Sequence, residues 1–127
     1  MHDKALFLYK IGNYLFDEKL AQVTNLSGDV VDLSPLVFKL LLFLIHNNDR
    51  LVSKQELILK VWTQHVSSGS IDKTISQLRK VFGDSATDPT YIITRRKLGY
   101  RLVMPVTSNV PHEIKIINRG QFGTVQS

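Results

Sequence analysis

Short runs of β-favouring residues fill the first third of the chain, and polar, turn-prone residues separate them. Three runs of four to six residues stand out: YLFD at 14–17, AQVTNL at 21–26 and VVDL at 30–33. An earlier strand is expected within LFLYKIG at 6–12. Runs of this length between turn residues are typical of strands. The pattern therefore predicts an N-terminal antiparallel sheet of three or four strands.

The apolar period then changes to that of a helix. The Ser-Pro pair at 34–35 supplies a capping residue and a first-turn proline. The helix that follows, over about 35–47, is apolar nearly all round and is expected to be the central core helix. Ser53 and Glu56 are spaced as a capping box, which predicts a second helix over about 54–62.

A third helix is predicted over 70–82, after a polar loop at 63–69 and before Gly83. At about 100° per residue, one side of this helix is an apolar stripe expected to face the core, formed by Ile71, Ile75, Leu78 and Phe82. The opposite side carries two ammonium groups, an amide and a hydroxyl, from Lys73, Ser76, Gln77 and Lys80. Asp72 and Arg79 lie together on one flank, two turns apart.

A hairpin with a cationic tip is predicted after the third helix. Its strands are YIIT at 91–94 and YRLV at 100–103, and Arg95, Arg96 and Lys97 stand between them. Three adjacent cations repel one another, so a negatively charged partner is expected at this tip. A cationic turn on an unrelated surface is the alternative.

The end of the chain is less patterned. After Pro105 only EIKII at 113–117 forms a regular run. We therefore expect one folded domain over 1–106, followed at 107–127 by a linker or juxtamembrane extension.

Composition changes this picture mainly through charge. The chain has 127 residues, which suits one domain, and its formal net charge is +5 with a pI of about 9.6. Residues 1–33 hold 3 cations and 5 anions, whereas residues 70–101 hold 7 cations and 3 anions. The expected partner is a polyanion such as nucleic acid, or an anionic membrane surface, contacted by the second half of the chain.

Several classes of protein and site are disfavoured. The chain has no cysteine, which excludes disulfides and thiolate zinc sites and fits a reducing cytoplasm. The most apolar stretch, at 36–45, includes Lys39 and is far shorter than the roughly 20 residues of a membrane span. The histidines are far apart, and no phosphate loop or nucleophile elbow occurs. No catalytic residue, metal, cofactor or small-molecule substrate is therefore expected.

The polar side of the third helix suits the major groove of double-stranded DNA. Lysine reaches guanine acceptors or phosphates, glutamine can form two hydrogen bonds with adenine, and serine contacts bases or phosphates. A solvated helix face is the alternative, because these residues are also ordinary on protein surfaces. Two helices joined by a short loop form a helix-turn-helix. The hairpin after it can reach a neighbouring minor groove or the backbone, and arginine is favoured where that groove is narrow.

Residues just before the third helix are weaker candidates for DNA contact. Trp62 is expected to fill the core, although its indole N–H could also reach a phosphate. Thr63, Ser67, Ser68 and Ser70 lie near a helix N-terminus, where backbone amides attract phosphate groups.

Three segments resemble the OmpR/PhoB-type winged-helix DNA-binding domain, and especially its ToxR/CadC-like branch: LVSKQELILKVW, SIDKTISQLRKVFGD and DPTYIITRRKLGYRLVMPV. They occur in the family's order and spacing, and the resemblance covers roughly residues 8–106. It implies an α+β fold, a winged helix-turn-helix with an N-terminal antiparallel sheet, three helices and a C-terminal β-hairpin wing.

The resemblance also implies roles for individual residues. The third helix would be the recognition helix, with Lys73 and Gln77 as base readers. Contacts to the backbone or flanking positions would come from Ser76, Arg79 and Lys80. The wing at 95–99 would contact DNA through Arg95 and Arg96, with Lys97 beside them.

Partners follow from the resemblance as well. Relatives are thought to touch RNA polymerase through the loop that corresponds to 63–69, and to bind repeated half-sites as dimers or higher assemblies. Two departures stand out: Val37 replaces a frequent capping-box glutamate, and Ser76 replaces a basic residue. The branch normally continues into a membrane span and an outer sensory domain. Because the printed sequence includes no receiver domain before the sheet, an ordinary two-component response regulator is not expected.

We therefore expect a bacterial, sequence-specific transcription regulator, the cytoplasmic part of a membrane-anchored one-component activator. A freestanding regulator fits nearly as well. The alternative is a winged-helix interaction module that holds a partner regulator or RNA polymerase and reads little DNA sequence itself.

Overall fold

The computed structural model describes residues 8–64 and 66–109. These residues fall into two compact units. One consists of residues 8–32 together with 106–109 and contains only strands, and the other consists of residues 33–105 and contains the helices and the hairpin. The predicted recognition helix and wing therefore belong to the same unit.

The first unit is a five-stranded antiparallel sheet. Its strands are β1 Leu8–Ile11, β2 Tyr14–Asp17, β3 Gln22–Thr24, β4 Val30–Asp32 and, after the two strands of the hairpin, β7 Val106–Asn109. Their order in the sheet is β4-β3-β2-β1-β7. The first four strands follow one another as hairpins, which confirms the predicted N-terminal antiparallel sheet.

Side chains on one face of the three central strands, β1 to β3, are buried. Tyr9 is paired with Phe16, and Phe16 with Val23, so their side chains lie side by side on the same face, and all three are nearly inaccessible. The rings of Tyr9 and Phe16 stack with centroids 5.6 Å apart. The Tyr9 hydroxyl donates a 2.9 Å hydrogen bond to Glu18, and burial raises the pKa of Tyr9 to about 12.

The strand β7 lies partly in the segment that was expected to be an extension. Val106–Asn109 pairs with β1 along its whole length, from Leu8 opposite Asn109 to Ile11 opposite Val106. The folded part of the chain therefore reaches at least residue 109. Thr107 and Ser108 lack an apolar alternation, so the strand depends on pairing with a segment far away in sequence. The run at 113–117 lies outside the described residues.

The second unit begins with α1, Pro35–His46, which confirms the predicted core helix. The Ser34 hydroxyl accepts the backbone N–H of Val37 at 3.4 Å, so the predicted cap is present. Its buried residues lie on one side of the helix, within an arc of about 140°: Val37, Leu40, Leu41, Leu44 and Ile45. Lys39 is exposed.

The second helix has the predicted bounds but not a uniform helix type. It starts as α2, Lys54–Leu57, and continues as a π-helical segment, Ile58–Trp62. Thr63 closes it with a left-handed backbone (φ 58°), and its N–H donates to the Ile58 carbonyl at 2.7 Å. Apolar periodicity does not distinguish a π turn from an α turn over so few residues.

Only half of the predicted capping box is present. The Ser53 hydroxyl accepts the N–H of Glu56 at 3.1 Å, as expected of a cap. The Glu56 carboxylate instead accepts a 2.8 Å hydrogen bond from Arg50. An ion pair with a guanidinium is stronger than a bond to one neutral amide, so the carboxylate turns towards Arg50.

The third helix, α3, spans Ser68–Val81 and starts two residues before the predicted position. Ser67 is its cap, because its hydroxyl accepts the N–H of Ser70 at 3.3 Å. Ser68 and Gly69 therefore form the first turn instead of the end of the loop. Ile71, Ile75 and Leu78 are buried, and so is Phe82 just beyond the helix, which confirms the predicted apolar stripe.

The hairpin consists of β5 Ile92–Arg95 and β6 Gly99–Leu102, each displaced by one residue from the predicted strand. Val52, just before α2, pairs with Tyr100 and adds a third short stretch to the hairpin. Within residues 8–64 and 66–109, no helix combines the length and apolarity that crossing a membrane requires.

Candidate nucleic-acid interface

The outer side of α3 presents an uninterrupted polar row. Lys73, Ser76, Gln77 and Lys80 are all exposed, and none of their side chains forms a hydrogen bond or ion pair with another described residue. The opposite side of the helix is buried through Ile71, Ile75 and Leu78. The helix is therefore anchored on one side and presents unpaired donors and acceptors on the other.

The tip of the hairpin, which we call the wing tip, consists of residues 95–98. Arg95, Arg96 and Lys97 are exposed, and Leu98 is 61% exposed. The turn is closed by the Leu98 N–H, which donates to the Arg95 carbonyl at 2.9 Å. Lys97 has a left-handed backbone with φ 65°. A tight turn thus holds three cations together, although their mutual repulsion opposes it.

A cleft of about 470 Å³ lies between the wing tip and the start of α2. The three cations of the wing tip line one side, and Ser53 and Lys54 line the other. Lys54 therefore adds a fourth positive group to this region. It was missed as a candidate because nothing in the sequence places residue 54 beside the hairpin.

Asp72, near the start of α3, holds the hairpin and α2 together. Its carboxylate accepts a 2.6 Å hydrogen bond from the Tyr100 hydroxyl and lies 3.1 Å from the Lys54 ammonium group. The hydrogen bond from Tyr100 is the main reason that the pKa of Asp72 is below its usual value. Burial, followed by the same hydrogen bond, raises the pKa of Tyr100.

Arg79 forms a second connection, two turns further along α3. Its Nη2 group donates to the Ile92 carbonyl and to the Thr94 hydroxyl, at 2.9 Å each. Its Nε lies 4.0 Å from the Asp84 carboxylate, whose side chain is fully buried. The Arg79 side chain is only 12% exposed, so it is directed into the protein and away from the polar row.

Asp84 is held by the backbone at the start of the hairpin. Its carboxylate accepts the N–H of Thr90 at 2.8 Å and the N–H of Ile92 at 3.0 Å. Burial by itself raises the pKa of Asp84, but the hydrogen bonds from Thr90 and Ile92 outweigh it, and the pKa lies below its ordinary value. The group is therefore a buried, ionised carboxylate.

The two connections fix the hairpin along α3. Thr94 and Tyr100 are direct partners across the hairpin, so their side chains lie on the same face, and that face is turned towards α3. Asp72 and Arg79 are seven residues apart, which is about 10 Å along a helix. Arg95, the first cation of the wing tip, follows Thr94 directly. The structure thus brings α3 and the wing together, as the predicted interface requires.

The remaining candidates before α3 differ in exposure. Trp62 is only 8% exposed, which confirms that it fills the core. Thr63 is exposed, but its hydroxyl donates to the Trp62 carbonyl at 2.6 Å. Ser70 is half-buried, and its hydroxyl lies 3.3 Å from that of Ser67. DNA contact by Thr63 and Ser70 therefore stays a prediction, and the hydroxyl group of each already takes part in a hydrogen bond within the protein.

The comparisons with known proteins agree with this geometry. Residues 28–102 match the protein family described as "Transcriptional regulatory protein, C terminal". The chain belongs to this family, the OmpR/PhoB-type winged-helix DNA-binding domains of transcription regulators, which is not a class of enzymes.

Individual relatives support the same placement. The transcriptional activator CadC of Escherichia coli is 33% identical over 99 residues, and the regulatory protein AfsQ1 of Streptomyces coelicolor is 32% identical over 96 residues. These matches cover 76% and 74% of the chain but only 19% and 42% of the two relatives. The chain therefore spans less than half the length of either protein.

Solved structures resemble the fold closely. The DNA-binding domain of Escherichia coli CadC has a TM-score of 0.69 at 28% identity, over 82% of the chain and 98% of that domain. The RstA DNA-binding domain of Klebsiella pneumoniae, in complex with the RstA box, has a TM-score of 0.63 at 30% identity. That match covers 79% of the chain and 97% of the RstA domain.

Proposed function

We propose that the chain binds specific DNA sequences as part of a bacterial transcription regulator, with α3 in the major groove and the wing tip at the adjacent minor groove or backbone. The observation that supports this most is the joint placement of an unpaired polar row on α3 and a cationic wing tip fixed to the same helix. A structural neighbour, the RstA DNA-binding domain, was solved in complex with the RstA box.

The residues of the proposed interface fall into base-reading and backbone-contacting groups. Lys73 and Gln77 are the base readers, because an ammonium group can reach guanine and an amide can pair with adenine. Backbone contacts come from Ser76 and Lys80 on α3, with weaker contributions from Thr63 and Ser70. The wing tip contributes Arg95, Arg96 and Lys97. Trp62 supports this surface from the core instead of touching DNA.

Selection of bound duplexes from a random pool tests the proposal directly. A recovered motif would establish sequence-specific binding, and a repeated motif would indicate more than one copy of the protein on each site. A pool that remains random, or no salt-sensitive binding to any duplex at low salt, would contradict the proposal and favour an interaction module.

Gln77→Ala and Arg96→Ala then distinguish base-specific recognition from contacts to the DNA backbone or minor groove. Gln77→Ala should lower the affinity for the selected site by about 1–3 kcal/mol while leaving random duplex almost unaffected. Arg96→Ala should weaken binding to all sequences, or most strongly to sites with a narrow minor groove. Equal losses on specific and random duplex for Gln77→Ala would remove its role as a base reader.

The wider context is also a proposal. We infer a cytoplasmic regulator that assembles as a dimer or higher oligomer on DNA and contacts RNA polymerase through the loop before α3. The ToxR/CadC-like resemblance further suggests a membrane-anchored activator. The complete gene tests this last point, because a stretch of about 20 apolar residues after Ser127 would supply the anchor.

A further inference from the structure

We propose that Arg79 is a positioning residue that fixes the wing against the recognition helix, and that it is not itself a contact to the DNA backbone. The inference rests on the proposed function, since it concerns how the wing reaches DNA. It differs from the role that the family resemblance implies for Arg79.

The bonding of the guanidinium group supports this role. Both hydrogen bonds of its Nη2 are made to β5, one to the Ile92 carbonyl and one to the Thr94 hydroxyl. Its Nε is buried and lies 4.0 Å from the Asp84 carboxylate. By contrast Lys80, the next residue, is exposed and makes no such contact with a described residue. Of these two neighbouring cations, Arg79 is therefore bonded within the protein, whereas Lys80 faces solvent.

Arg79 and Asp84 together hold both ends of β5. Asp84 accepts the N–H groups of Thr90 and Ile92, at the beginning of the strand. Arg79 donates to Thr94, one residue before the wing tip. Arg79 on α3 and Asp84 just after it thus fix the direction in which β5 runs towards the wing tip.

Removal of Arg79 leaves β5 held only at its beginning, where Asp84 still accepts the Ile92 N–H. Tyr100 still donates to Asp72 and still pairs with Val52. The β5 side would gain freedom directly before Arg95, and binding would then have to order the wing tip at the moment of contact. A wing tip that is not preorganised before binding lowers the affinity, although no contact to DNA is removed.

A double-mutant cycle distinguishes positioning from direct contact. Arg79→Gln is measured in the native protein and again in a background with Arg95→Ala and Arg96→Ala, on the selected duplex. We expect Arg79→Gln to lower the affinity for the duplex about fivefold when the wing arginines are present, and less than about twofold when they are absent. Coupled residues depart from additivity by this order. In the second background the salt dependence of binding should not change.

Two further variants make the result interpretable. Thr94→Val removes the hydroxyl partner of Arg79 without changing any charge, and it should reproduce part of the wing-dependent loss. Lys80→Gln removes the same charge from the exposed neighbour. It should weaken binding equally in both backgrounds and reduce the salt slope by about 0.9, as a direct phosphate contact does. Thermal unfolding of each variant confirms that the fold is retained.

The outcomes separate the two proposals. Equal losses for Arg79→Gln in both backgrounds, with a reduced salt slope, would make Arg79 a direct phosphate contact and overturn this inference. The absence of any loss in either background would overturn it as well. If the native protein itself bound no duplex, the proposed function would fail first.

Discussion

At the scale of single residues, Gly99 shows how closely the hairpin is fitted to the start of α2. Its backbone has φ 132°, and a Cβ atom placed there would lie 2.0 Å from the Val52 carbonyl oxygen. The approach is this close because Tyr100 and Val52 exchange two backbone hydrogen bonds, of 2.7 and 2.9 Å. Only a residue without a side chain fits both the conformation and the space.

Replacement of Gly99 should therefore be costly. We expect Gly99→Ala to destabilise the fold by more than about 3 kcal/mol, because backbone strain of about 1–3 kcal/mol adds to the clash. Gly28→Ala is the matched control: φ is 89°, but nothing lies within 4 Å of the added methyl group. It should cost on the order of 1–2 kcal/mol. Urea unfolding measures both, and similar losses would contradict the close approach.

Asp84 gives the fold a dependence on acid pH. Its folded-state pKa lies below the ordinary value, and an unfolded aspartate titrates at about 3.9. The stabilisation is therefore present above that pH and is lost as the pH falls through the folded-state pKa. Asp84→Asn should cost about 1–3 kcal/mol at neutral pH, since amide donors lose an ionised partner.

The same measurement in acid provides the control. As the pH falls below about 4 and through the folded-state pKa, the difference in unfolding free energy between the native protein and Asp84→Asn should shrink, because the native carboxylate becomes protonated. A difference that stays constant over this range would mean that the carboxylate contributes through packing and not through its charge.

At the scale of elements, the start of α3 depends on its cap, Ser67. Ser67→Ala removes the hydroxyl that accepts the Ser70 N–H and should cost about 1 kcal/mol. Ser68→Ala, one residue later and inside the helix, should be neutral or slightly stabilising, because alanine has the higher helix propensity. Thermal unfolding compares them, and a larger loss for Ser68→Ala would place the cap one residue later.

Elements were predictable where local pattern and local bonding agree. The core helix 35–46 follows from its Ser-Pro start and its apolar sequence, and the stripe through Ile71, Ile75 and Leu78 follows from helical periodicity. The strand β7 could not be predicted in this way, because its pairing partner β1 lies about a hundred residues away in the sequence. The π-helical turn at 58–62 could not be predicted either, since it depends on how the helix ends at Thr63.

The candidate site was predictable in its exposed half only. The residues that face solvent on α3 and at the wing tip follow from helical angles and from a run of like charges. Arg79 shows what sequence cannot supply: its spacing from Asp72 was visible, but its partners on β5 depend on the hairpin packing. Composition likewise gives the charge of Lys54 but not its position beside the wing tip.

At the scale of the whole molecule, charge is divided between the two units. Residues 33–105 carry 11 cations and 5 anions, whereas the described strands at 8–32 and 106–109 carry 2 cations and 4 anions. Attraction to DNA should therefore come from the unit that holds α3 and the wing. Five exposed cations of that unit belong to the proposed interface: Lys73, Lys80, Arg95, Arg96 and Lys97.

The number of these cations fixes an expected dependence on salt. Each neutralised phosphate contributes about −0.9 to the slope of log K against log salt, so the slope should be about −4 to −5. Arg95→Ala combined with Arg96→Ala should reduce its magnitude by about 1.8, since two phosphate contacts are lost. Neutralisation of Lys10 and Lys19, in the strand unit, should leave the slope unchanged. A slope that depended equally on both pairs would mean that binding is a general effect of net charge, and the surface formed by α3 and the wing tip would lose its special role.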